Sequence, residues 1–160
     1  MKTVELIKYI KEITYEMFDS KAPESCKEIE QLLLTLPPKS SFHTQQDSPQ
    51  EIQALTLLEA KRNSSDSDEI LYLAQICLGK YHRLRLRSCD WITRDEGIRL
   101  LKQYYELTNC TKIKCILDNI PIFYTQRAII MNSRQNKDDY KGYDKKLSTS
   151  RDVDSEEWKK

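Results

Sequence analysis

The chain has 160 residues, of which 39% are apolar and 32% charged, with a formal net charge of +1. No stretch approaches the roughly 18 apolar residues of a membrane span. Three glycines leave little material for the positive-φ turns that β-sandwiches and phosphate loops need. Charge is segregated. Residues 1–69 carry 8 Lys/Arg against 13 Asp/Glu, residues 70–130 carry 10 against 5, and residues 131–160 carry 8 against 7. An acidic front and a basic middle either complement each other within the fold or face separate partners.

In chain order, charges interrupt the run Met1 to Lys8, which lacks the apolar core of a secretory leader. Leu6, Ile7, Ile10, Ile13 and Met17 then fall on one helical face over 3–18, with Thr3 placed to cap it. Residues 24–36 repeat the pattern through Cys26, Ile29, Leu32, Leu33 and Leu36 until Pro37-Pro38 stops it. After a polar loop, Ser48-Pro49-Gln50-Glu51 is a capping box with proline in the first turn; it opens a helix to about Arg62. The clearest periodicity, through Ile70, Leu73, Ala74, Cys77, Tyr81 and Leu84, predicts a long helix over about 68–88. Thr93-Arg94-Asp95-Glu96 reads as another capping box, opening a helix to about Thr108. Over 111–131, alternating Ile113, Cys115 and Leu117 compete with the helical set Ile113, Ile116, Leu117 and Ile120. The reading leans to a short helix followed by an extended segment. The expected fold is all-α: a compact bundle of about five helices within a domain 1–131, followed by a disordered polar tail at 132–160.

The residues argue against catalysis. Gly79-Lys80 superficially resembles the end of a phosphate loop, but position 74 is Ala and Tyr81 stands where Ser or Thr is needed. Five cysteines at 26, 77, 89, 110 and 115 lack the paired short spacings of a zinc site. Their odd number, with no secretory leader, points to reduced thiols in cytoplasm or nucleus. His43 lies in a polar loop and His82 among arginines. An enzyme would need His82 to converge with Cys89, Cys110 and Cys115. No catalytic residue, metal or cofactor is therefore expected.

The functional signal is basic and aromatic. Lys80, Arg83, Arg85, Arg87, Trp91, Arg94 and Arg99 form a candidate partner-binding surface, with Tyr81, Tyr104 and Tyr105 nearby. A protein partner, within a hetero-oligomeric complex, is the leading expectation; nucleic acid is the alternative. A structural reading competes with both, because cations near a helix C-terminus complement its dipole and Arg stems cover apolar neighbours.

The order of residues from Tyr72 through Arg87, with Trp91 after it, and then Thr93 to Leu107 as the counterpart of an acidic-start helix of the type Glu-x-x-x-Leu-x-x-Tyr, resembles the helical domain of subunits of the GINS complex, the tetrameric replication factor. The resemblance implies one long helix rich in Tyr, Leu and Arg, then an acidic-start helix. It also implies a nuclear scaffold that supports a replicative helicase without hydrolysing ATP. Those subunits carry a small β-rich domain as well, for which only Ile113–Met131 is available here.

Overall fold

A computed structural model describes residues 2–36, 47–81, 86 and 89–133. The fold is a compact all-α bundle, with no strand among the described residues. Its helices are α1 (Thr3–Asp19), α2 (Lys27–Thr35, entered through a 3₁₀ turn at Glu24–Cys26), α3 (Pro49–Lys61), α4 (Ser67–Cys77), α5 (Arg94–Thr108), α6 (Thr111–Asp118) and α7 (120–133). No helix among the described residues is long and apolar enough to cross a membrane. Residues 134–160, most of the expected tail, lie outside the described residues, as do His43, His82, Arg83, Arg85 and Arg87.

Start signals act as local chemistry requires. The Ser48 amide donates to Glu51 Oε1 (2.7 Å) and the Glu51 amide to Ser48 Oγ (3.2 Å), completing the capping box. At α5 only half of the box forms. Thr93 Oγ1 accepts from the Glu96 amide at 3.1 Å, while the Glu96 carboxylate takes two hydrogen bonds from Arg99, at 2.6 and 3.0 Å. A bidentate guanidinium outcompetes a single backbone amide. At α1 the expected cap is absent: Thr3 is the first helical residue, and Lys2 precedes it without a side-chain bond.

The core collects the predicted apolar faces. Ile10, Ile13 and Met17 of α1, Ile29 and Leu33 of α2, Leu58 of α3, and Ile70, Leu73 and Ala74 of α4 are buried with Leu100 and Leu101 of α5. Helix α4 packs along α5, α2 along α3, and α6 against both α5 and α1. Phe18 of α1 stacks on Phe123 of α7, with ring centroids 6.4 Å apart. The close approach of α4 and α5 depends on Gly97. A Cβ there would lie 2.7 Å from Leu78 Cγ and 3.1 Å from Cys77 Cβ.

Two expectations need correction. The helix foreseen over 68–88 ends at Cys77. Gly79 turns left-handed (φ 101°); its amide bonds to Ile76 O (3.0 Å) and the Lys80 amide to Gln75 O (2.8 Å). This bond pair is a Schellman cap, which satisfies carbonyls the helix leaves open. The segment 111–131 has no extended part; it forms α6 and α7, separated by a turn at Asn119. Pro121 is tolerated because it lies in the first turn of α7, where no amide donor is needed. Of the helical set, Ile113 and Ile116 are buried in the core and Leu117 and Ile120 pack partly buried against it, while Phe123 and Met131 of α7 join the same core.

Candidate partner-binding site

The junction where α4 ends, α5 begins and α7 crosses gathers several of the expected basic and aromatic side chains. Lys80 follows the Schellman cap, and its Nζ donates to the Ser20 carbonyl at the end of α1 and to Gln75 Oε1 (3.4 Å). Gln75, itself buried, donates through Nε2 to Ser20 Oγ at 3.0 Å. Lys80 is thus a tie between helix ends, in the place where a cation best meets the negative end of a helix dipole.

Trp91 is 8% exposed. The Arg62 guanidinium lies 4.9 Å from its ring centroid, and the indole Nε1 is shielded from solvent without a hydrogen-bond partner among the described residues. Arg99 is exposed, but it pairs with Glu96 at 2.6 Å and donates to Gln103 Oε1 at 3.3 Å. That pair also holds the Glu96 carboxyl below its usual range. Arg99 stands five positions after Arg94, which places them roughly 140° apart around α5.

Arg94, first residue of α5 and exposed, is arranged differently. Its guanidinium stands 4.2 Å from the centroid of the Tyr124 ring. Arg127, one helical turn beyond Tyr124 on α7, lies 5.9 Å from the same centroid and donates through Nε to the Leu78 carbonyl. Arg127 therefore caps α4 as Lys80 caps α1. Burial pushes the Arg127 guanidinium below its ordinary value; the Tyr124 phenol counters this and Arg94 adds to it. Burial raises the Tyr124 phenol in turn, while both guanidiniums pull it back. The Tyr124 hydroxyl is shielded from solvent and has no hydrogen-bond partner among the described residues.

The structure thus brings Arg94 together with Tyr124 and Arg127, two residues the sequence reading did not single out. Helical spacing carries a signal for Arg127 alone: Phe123, Arg127 and Ile130 stand at i, i+4 and i+7, one stripe of an amphipathic helix.

Cys26, Cys77, Cys89 and Cys115 are all raised by burial, Cys77 to about 12, and the thiol rather than the nucleophilic thiolate prevails at neutral pH. Among the described residues no three His, Cys, Asp or Glu side chains are grouped to hold a metal. Cys89 Sγ instead accepts from the Ile92 amide at 3.2 Å, shaping the turn before α5.

No protein-family profile, curated protein or solved structure matches this chain.

Proposed function

We propose that this chain is a non-catalytic, intracellular helical module that binds a partner protein through the basic-aromatic surface of the α4–α5 junction. The observation that carries the reading is Arg94. It is exposed, held with its guanidinium 4.2 Å from the centroid of the Tyr124 ring, and not ion-paired with any carboxylate among the described residues. Arg stacked on an aromatic ring is pre-organised for binding, since part of its rotamer entropy is already spent. Lys80, Trp91 and Arg99 are engaged within the chain, by Ser20, Arg62 and Glu96 respectively, and Arg83, Arg85 and Arg87 extend the same stretch of sequence.

A scaffold of the GINS kind, acting in the nucleus within a hetero-oligomer that supports a replicative helicase, is the more specific form. The order of residues 72–107 supports it. The helix end at Cys77 departs from the single long helix which that resemblance implies, so helix geometry lends it no weight.

The test is affinity purification of the full chain with mass spectrometry, comparing wild type with Arg94→Glu and with the double reversal of Arg83 and Arg87. A stoichiometric protein partner, retained by wild type and reduced at least about tenfold by reversal, is the expected result. Unchanged recovery with all these variants folded would remove this surface from the interface. Recovery of nucleic acid instead, with affinity falling steeply between about 50 and 200 mM salt, would replace the reading by the alternative.

A further inference from the structure

Three unfavourable terms meet at Tyr124. Two guanidiniums of like charge share one ring, at 4.2 and 5.9 Å from its centroid. Neither is ion-paired with a carboxylate among the described residues, whereas Lys61, Arg62, Arg99, Lys112 and Lys114 each have one. Arg94 also stands in the first turn of α5, where the helix dipole opposes a cation. The third term is the Tyr124 hydroxyl, out of water and without a hydrogen-bond partner among the described residues, which is unfavourable for a polar group. One oxyanion would reverse all three: it would accept from the hydroxyl, neutralise the guanidinium pair and suit the helix N-terminus.

We infer that Arg94, Tyr124 and Arg127 form a receptor for one carboxylate of an acidic segment in a partner protein. The inference rests on the interaction reading and names the partner's chemistry. Arg127 is the fixed arm: its Nε is committed to the Leu78 carbonyl, and the missing side chain of Gly79 leaves room for its Nη2. Arg94 is the exposed arm that closes over the ligand. Guanidinium and carboxylate are both planar and match in two parallel hydrogen bonds. A nucleic acid needs a track of available cations along its backbone. Here the neighbouring described cations are spent within the chain, Lys80 on the Ser20 carbonyl and Arg99 on Glu96.

The test is an NMR titration of the full ¹⁵N-labelled chain, following arginine Nε–H signals and the Tyr124 ring, with N-acetyl-triglutamate amide as probe. The expected result is a saturable shift at Arg127 and Tyr124. Arg94→Gln should weaken binding by about tenfold. Tyr124→Phe should also weaken it while the thermal midpoint holds or rises, because the lost hydroxyl had no partner; a purely structural tyrosine would show no binding change. Absence of a saturable shift up to about 10 mM peptide overturns the site. So does an equal shift with inorganic phosphate alone, or saturation by an oligothymidylate of about ten nucleotides and not by the peptide. If a cellular partner is captured equally by wild type and by the folded Arg94→Gln protein, this site is excluded while the interaction reading stands.

Discussion

Gly79 does two things that no other residue type does as well. Its φ of 101° reverses the chain after α4, and its bare Cα admits the Arg127 guanidinium, which a Cβ would meet within 3.2 Å at Cζ. Gly79→Ala therefore carries both a backbone penalty and a clash. We expect it to lose about 1–3 kcal/mol in urea unfolding and to shift the Arg127 Nε–H resonance; unchanged stability would mean that the left-handed turn is not needed. The same glycine shows why the sequence overstated α4. Apolar spacing runs on through Tyr81 and Leu84, and periodicity records which side is greasy without recording where the backbone reverses. The cap itself was legible, since a glycine just past Cys77 is the commonest helix stop. Periodicity and cap conflicted, and the cap won. Tyr81 kept a buried role even so, its hydroxyl 3.0 Å from that of Tyr72.

Helices pair here by close approach as much as by volume. Gly97 lies in α5 where its neighbours α4 and Leu78 leave no space for a methyl group. Glycine to alanine inside a helix ordinarily gains up to about 1 kcal/mol. At this position overpacking against buried Leu78 costs about 1–3 kcal/mol, and the net effect of Gly97→Ala is expected to be destabilising in chemical denaturation. A gain would show that α4 and α5 separate freely. Element existence was well marked in the sequence, because five amphipathic stretches each carry a start signal and each became a helix. What was hidden is α7. Its β-rich run Ile120 to Tyr124 contains a proline and reads as extended until Phe18 is known to stack on Phe123, a contact more than a hundred residues apart. The candidate site shared that fate: Arg94 was visible as a helix-start residue, but its ring lies on an element the local pattern could not assign.

At the scale of the whole molecule, acid stability turns on Glu69. Its carboxylate accepts from Lys61 Nζ (2.7 Å) and Ser64 Oγ (2.6 Å), joining α4 to the end of α3. Hydrogen bonds from Lys61, Ser25 and Ser64 hold it at about 2, against an ordinary 4.5. A carboxyl lowered on folding stabilises the native state fully above its unfolded value and loses that contribution as pH falls toward the folded one. Wild type should thus lose up to about 3 kcal/mol between pH 4.5 and 2 through this group. Glu69→Gln should be less stable at pH 7 and flatter over the same interval in pH-dependent unfolding; parallel curves would assign the acid transition elsewhere. The stacking of Phe18 in α1 on Phe123 in α7 has a consequence for synthesis. The apolar side of α1 around Phe18 waits for α7, since residue 123 must emerge before Phe18 finds its ring. Nascent chains stalled short of that point should present an uncovered apolar strip and recruit chaperones, whereas chains released past 133 should not.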